Sequence, residues 1–354
     1  MSPLEQHIRN RIKAEGPLPV SEFMAEALGH PEWGYYRKQD PLGARGDFTT
    51  APEISQMFGE LLGLWCAVVW QQMGSPRHFR LVELGPGRGT LMSDLLRAAR
   101  LVPGFLGAVR VHLVETSPVL RLRQREALRG APVDWHDDFS EIPDGPMLLV
   151  ANEFFDALPI RQFVRDGGGW RERLIDACGD DLDFVTGPLL DAGSPGLPRL
   201  DGVAEGDIAE TCPAGQEVAQ AIGRRLCDQG GAALIVDYGH SRSAAGDTLQ
   251  AVRQHRYHPV LALPGEADLT AHVDFQALAD AARPAKAHGT VDQGSFLRAM
   301  GIEARAEALL RGAEPKQRFE IATACHRLIS PTEMGTLFKS LALTQPDLPA
   351  PPGF

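Results

Sequence analysis

The sequence predicts an α/β protein with a Rossmann-like sheet, a helical N-terminal region and an inserted antiparallel and helical part. Three observations predict it. A short apolar run, Phe79 to Leu84, leads into a glycine-rich turn and then a helical pattern. Strand-like and helix-like segments then alternate as far as residue 151, the rhythm of a parallel sheet with right-handed crossovers. After Asp156 that rhythm gives way to a hairpin pattern around Gly167-Gly168-Gly169.

The elements follow in chain order. Residues 2–30 read as two short helices split at Gly16-Pro17-Leu18-Pro19, the second capped near Ser21. Gly34 to Thr50 reads as a long irregular loop rich in aromatic residues and glycine, a kind that usually carries function. Pro52 to Gln72 reads as one long helix whose apolar face (Ile54, Phe58, Leu61, Leu62, Trp65, Val69) belongs to the core. The core is expected as strand 79–84, helix 88–100, strand 109–115, helix 118–129, strand 132–136 and strand 146–151. Next come a hairpin over 160–175 and an acidic, Gly- and Pro-bearing stretch, Asp176 to Glu210, read as a solvated loop or a rim facing a basic polypeptide. A helix over 213–228, strands at 232–237, 248–252 and 287–291, and helices at 273–282, 294–300, 302–311 and 331–338 complete the expectation. A frayed tail over 347–354 follows. The corresponding parts are 1–75, 76–160, 161–212, 213–300 and 301–354.

Composition narrows the classes. The chain has 354 residues, 44% hydrophobic and 23% charged, enough to bury a large core. No apolar run is long enough to span a bilayer, and the opening residues lack a secretory apolar stretch. Glu5 and Glu15 argue against an organelle transit peptide, so a bacterial cytoplasmic setting is expected. The five cysteines are far apart with no CxxC pair, which fits reduced, packed thiols. A net charge of −11 disfavours nucleic acid and is compatible with a basic partner. Apolar helices near the N-terminus make a homodimer conceivable.

The chemistry is expected at the carboxyl ends of the strands. Gly85-x-Gly87-x-Gly89 is followed by Thr90 where a dinucleotide fingerprint wants glycine, and Glu83 just before it would repel a diphosphate. An acid there suits a ligand with a cationic amino-acid portion, which favours S-adenosylmethionine over NAD. Glu115, ending the second strand, is placed to accept ribose hydroxyls. Asp138 and Phe139 suit an adenine amino group and ring. Asn152-Glu153-Phe154-Phe155-Asp156 breaks from the fourth strand, and its acids are candidates to orient a guanidinium nitrogen for in-line methyl transfer. Asp156 also reads as the cap of a helix starting at Ala157. Glu210 and Asp274 are further candidate acids. His255, His258, His272 and Asp274 lack a strong ligand spacing, so no metal is expected. No GxSxG elbow supports a hydrolase.

Taken in order, five motifs resemble the MidA-like family of S-adenosylmethionine-dependent methyltransferases, which includes a mitochondrial complex I assembly factor acting on protein arginine. They are Gly46-Asp47-Phe48-Thr49-Thr50-Ala51-Pro52-Glu53-Ile54-Ser55 with Phe58-Gly59-Glu60, Glu83 to Gly89, Asn152 to Pro159, Asp237-Tyr238-Gly239, and Asp268 to Phe275. A departure is Cys212, where the pattern leads us to expect a serine nearby. The resemblance implies a class I methyltransferase sheet and S-adenosylmethionine as donor. It also implies symmetric dimethylation of an arginine in a subunit of the NADH–quinone oxidoreductase during assembly, the quinone module being the natural target. It carries cofactor roles to Gly85, Gly87, Gly89 and Glu115, has residues 46–54 with Thr49 and Thr50 close over the cofactor, and sets Glu210, Asp237, Tyr238, His272 and Asp274 beside substrate. The alternatives are a methyltransferase for another residue or a small molecule, and an assembly factor that binds the cofactor without turnover.

Overall fold

The computed structural model describes residues 1–38 and 49–354, so the Gly46-Asp47-Phe48 part of the proposed cofactor-covering loop lies outside the described residues. The chain forms two compact units, each assembled from separate stretches: Met1–Phe48, Phe155–Glu217 and Arg242–Ala277 in the first, and Thr49–Phe154, Val218–Ser241 and Leu278–Phe354 in the second.

The second unit holds the large sheet. Its strands run in the order Lys286–Asp292, Phe338–Thr344, Gly231–His240, Met147–Asn152, Phe79–Leu84, Val109–Val114, Val133–His136. The strands from Gly231–His240 through to Val133–His136 are parallel, and Phe338–Thr344 lies antiparallel to both of its neighbours. Leu81, Val82, Leu148, Leu149, Val150 and Ala151 are fully buried, which explains why these strands read as unbroken apolar runs. From Phe79–Leu84 the chain moves outward through two strands and then returns to the opposite side at Met147–Asn152. Strand order therefore reverses between these two strands, and their carboxyl ends flank the crevice where such sheets bind ligands.

The helix Gln56–Gln72 covers this sheet with Phe58, Leu61, Leu62, Trp65 and Val69 buried. It packs closely on the helix Thr90–Ala99. A Cβ on Gly59 would fall 2.6 Å from the Asp94 Cβ, and one on Gly63 would fall 2.6 Å from the Leu95 carbonyl oxygen. Glu60, between these glycines, accepts from Arg305 at 2.7 and 3.0 Å and from Arg97 at 3.1 Å.

The first unit is built on the antiparallel insertion. Its main sheet orders Leu18–Pro19, Gly169–Cys178, Arg161–Asp166 and Ile208–Thr211, with Asp181–Leu190 pairing Gly169–Cys178. A three-stranded sheet runs Arg256–His258, Gln250–Arg253, Asp268–Thr270. The helices Pro3–Glu15 and Val20–Gly29 bury Leu4, Ile8, Phe23 and Met24 in a core with Ile160, Ile175 and Leu269.

Several expectations are corrected. The predicted helix from Pro52 to Gln72 is two, Ala51–Ile54 and Gln56–Gln72; Ser55 is extended at φ −161° and its hydroxyl accepts from the Met57 N–H, starting the longer helix afresh. Ser21 does not cap the second helix, which begins after Pro19 without a side-chain cap. The stretch Asp176 to Glu210 is no simple loop: Asp181–Leu190 is a strand, with Asp181 and Asp183 exposed on either side of buried Leu182. The 331–338 helix shrinks to Met334–Leu337, and Phe338 opens the unpredicted strand Phe338–Thr344. Residues 315–329 form an unpredicted helix with a capping box between Glu314 and Gln317. The tail is packed: Leu348 is buried, and the Phe354 ring lies 5.5 Å from that of Phe296. Among the described residues no helix is long and apolar enough to cross a membrane.

Candidate active site

Phe79–Leu84 ends in a turn whose backbone favours glycine. Gly85, Gly87 and Gly89 all have positive φ, at 60°, 52° and 82°. A Cβ on Gly85 would lie 3.0 Å from the Phe154 ring, and one on Gly89 3.3 Å from the Gln124 Cα. The turn is pinned from outside as well, since Gln124 donates to the Gly87 carbonyl at 2.7 Å. Thr90 opens the following helix, so the turn delivers backbone amides and a helix start to one face.

Acids sit on either side of the turn. Glu83 is buried, and its Oε2 has no hydrogen-bond partner among the described residues. Burial, reinforced by the charge of Glu115, pushes its pKa up to about 8. Glu115 is buried rather than turned to solvent, with Oε1 accepting from the Ser117 N–H at 2.7 Å and Oε2 from Gln124 at 3.2 Å. Burial raises its pKa, against these donors. Across the strand-order reversal, the Asn152 Oδ1 is likewise buried with no partner among the described residues. Asn152 donates to the Glu153 Oε1 at 3.1 Å, and that oxygen also accepts from the Ala51 N–H at 3.0 Å. Asp237, wholly buried, holds the adjoining bend by accepting from the Phe154 N–H at 3.1 Å and the Tyr238 N–H at 2.9 Å.

These residues fit S-adenosylmethionine. A buried carboxylate oxygen and a buried amide oxygen without partners match a cationic amino group, and a doubly oriented carboxylate at the next strand end matches a ribose diol. Thr50 precedes the helix Ala51–Ile54, its carbonyl accepting from Glu53 and Ile54, and Thr49 stands beside it. Glu53, given no role from the sequence, secures this segment: it accepts from the Thr90 hydroxyl at 2.5 Å and lies 3.6 Å from Arg88.

The remaining predicted residues have the following surroundings. Asp138 is exposed and caps a short turn, accepting from Ser140 at 2.8 Å, and these hydrogen bonds hold its pKa down. Phe139 lies 5.8 Å from the Arg225 guanidinium. In the first unit, Glu210 accepts from Gln162 at 2.7 Å and from the backbone and hydroxyl of Thr248, whose hydroxyl in turn accepts from the His272 N–H at 2.9 Å. Asp274 caps the helix Phe275–Ala281 by accepting from the Ala277 N–H at 2.9 Å. No helix starts at Ala157, so Asp156 is not a cap there. Asp156 is buried, and with Asp268 it raises the pKa of Tyr36, after burial itself; Tyr36 donates to Asp268 at 2.7 Å. Neither Tyr36 nor Asp268 was picked out as a site residue from the sequence, though Asp268 opens a quoted motif. The Cys212 thiol accepts from the Gly215 N–H at 3.3 Å, an N-cap contact that a serine hydroxyl would also make.

Ligand-type atoms of His7, Glu26 and His30 lie within 4.8 Å of one another. The His30 Nδ1 accepts from the Glu32 and Trp33 amides, both at 3.2 Å, which leaves its proton on Nε2, and Glu26 is paired with Arg11 at 3.0 Å. That arrangement suits a charge cluster better than a metal centre.

Comparison with known proteins agrees with the geometry. Residues 61–291 match the S-adenosyl-L-methionine-dependent methyltransferase family. A zebrafish (Danio rerio) relative, the mitochondrial protein arginine methyltransferase NDUFAF7, is 40% identical, covering 94% of this chain and 85% of its own length. The human (Homo sapiens) protein of that name is 37% identical, over 97% of this chain and 83% of its own. A crystal structure from Burkholderia thailandensis bound to S-adenosyl-homocysteine superposes with a TM-score of 0.86 at 29% identity, covering 99% of this chain and 93% of that one.

Proposed function

This chain belongs to the S-adenosyl-L-methionine-dependent methyltransferase family, and on that premise we propose that it methylates an arginine side chain of a protein substrate. The observation that carries the cofactor half is the left-handed Gly85-Gly87-Gly89 turn beside the buried Glu83 carboxyl. The arginine half is supported by relatives about 40% identical that are named protein arginine methyltransferases.

Bound S-adenosylmethionine supplies a methyl group on a sulfonium, whose departure needs no protonation. Glu115, held by Ser117 and Gln124, would accept the ribose hydroxyls, and the glycine turn would offer backbone amides to the ligand. Asp237 fixes the bend at Phe154 and Tyr238. The acceptor nitrogen must then sit about 3 Å from the methyl carbon with a lone pair toward it. Carboxylates serve a guanidinium well, because they grip it bidentately and fix one nitrogen.

The finer reading extends to the target. We place the substrate among the quinone-module subunits of complex I during assembly, with symmetric dimethylation as the product and the bacterial cytoplasm as the setting. The net charge of −11 suits a basic polypeptide, and five unpaired thiols suit a reducing compartment. The test is incubation with labelled S-adenosylmethionine and purified quinone-module subunits, followed by mapping of methyl groups by mass spectrometry. Symmetric dimethylarginine is expected. Label on another residue type sinks the arginine assignment, and cofactor binding without transfer to any subunit points to a scaffold.

A further inference from the structure

We propose that Glu153 is a positioning residue that holds the segment Thr49–Ile54 beside the glycine turn, and not the acceptor of the substrate's proton. The proposal rests on the methyltransferase reading above but deepens it, because an acid at this strand end otherwise invites the role of general base.

Glu153 stands at φ 51°, a left-handed conformation that a side-chain-bearing residue adopts only where the surroundings fix it. Its backbone N–H donates to the Val236 carbonyl at 2.9 Å, so the bend is tied to the neighbouring strand. The side chain turns toward Ala51, whose N–H it accepts at 3.0 Å through Oε1. Asn152 donates to the same oxygen at 3.1 Å and so braces it. Ala51 is fully buried and opens the short helix that carries Glu53. Glu53 then reaches the Thr90 hydroxyl, at 2.5 Å, on the far side of Gly89.

The segment is thus anchored twice. Glu153 ties its start to the carboxyl end of Met147–Asn152, and Glu53 ties its end to the helix that follows the glycine turn. Both ends of the strand-order reversal are bridged by one short stretch. What the bonds from Ala51 and Asn152 ask of Glu153 is a well-placed acceptor oxygen, and a neutral amide supplies that to both. A general base could not be replaced in this way.

Two variants separate the roles. Glu153→Gln keeps an acceptor oxygen at nearly the same place, and Glu153→Gly removes the side chain while suiting the left-handed backbone. Calorimetric titration with S-adenosylmethionine is expected to give Glu153→Gln an affinity within about threefold of wild type, and Glu153→Gly about tenfold weaker binding, as loss of a buried hydrogen bond implies. Transfer at saturating cofactor to the arginine-bearing subunit is expected to stay within about threefold in Glu153→Gln. The proposal is overturned if Glu153→Gln binds the cofactor normally but loses transfer by about a hundredfold, or if Glu153→Gly binds as tightly as wild type. Wild-type protein that binds no S-adenosylmethionine would instead remove the methyltransferase reading beneath it.

Discussion

The imidazoles of His112 and His136 share one hydrogen bond, Nδ1 to Nε2 at 2.9 Å, between adjacent strands of the large sheet. With both rings neutral one of these nitrogens donates and the other accepts, so the pair satisfies itself without a charge. Burial, followed by the charge of His136, lowers the His112 pKa to about 4; Asp134, 4.0 Å away, works the other way, and Arg80 and Arg225 add to the depression.

A pH dependence of stability follows. His112 binds its proton more readily unfolded, near pH 6.5, than folded, so its contribution is intact above that pH and is lost as pH falls toward 4. In urea unfolding, wild type should lose about 1–2 kcal/mol relative to His112→Asn between pH 7 and pH 5, the raised carboxyls common to both proteins titrating alike. An equal loss in the variant would assign the effect to other groups.

Glu83 makes cofactor affinity respond to pH in the opposite range. With its pKa pushed up to about 8, the carboxyl is largely neutral at pH 6.5 and ionised at pH 9. Glu83→Gln is therefore expected to bind S-adenosylmethionine about as well as wild type at pH 6.5 and about tenfold less well at pH 9. Comparing the two proteins at each pH cancels the titration of the ligand's own amine. A constant ratio across that range would show that the charge of Glu83 does not reach the ligand.

Gly85 tests the turn. Alanine there meets two penalties, the left-handed φ of 60° and the Phe154 ring at 3.0 Å, whereas alanine at Gly16 meets only a φ of 92° with open space around it. Gly85→Ala should lower stability by about 1–2 kcal/mol from backbone strain plus an added contact cost, and also weaken S-adenosyl-homocysteine binding. Gly16→Ala should lower stability alone. If thermal melts and titrations find the two variants alike, the close approach of Phe154 does not matter.

Much of the sheet was readable in the sequence because its strands are buried on both faces. Phe79 to Leu84 carries its limits in its composition, and the glycine spacing with Glu83 pointed to S-adenosylmethionine, the cofactor of the family. What escaped had weaker signals. Phe338–Thr344 is interrupted by Lys339, Ser340 and Thr344; Ser340 and Thr344 are nonetheless fully buried, and Lys339 is neutralised by Asp292 at 2.9 Å. The break at Ser55 lay hidden because the apolar face runs on through it, and only the capping serine marks it. Tyr36 with Asp268 in the first unit, and Glu53 with Thr90 in the second, are partners hundreds or tens of positions apart, which no local pattern exposes. Asp274 was read as a candidate acid beside substrate, and the structure shows it capping the helix Phe275–Ala281.

The place of Phe338–Thr344 has a consequence for how this protein is made. It lies between Gly231–His240 and Lys286–Asp292, pairing with both, although it is synthesised after every other strand of that sheet. A nascent chain on the ribosome must therefore carry Gly231–His240 with one edge uncovered until the last strand emerges, an open template for mispairing. Folding of the large sheet is consequently a late event, and a chaperone that shields strand edges would act on this chain most usefully in the interval before residue 344 is exposed.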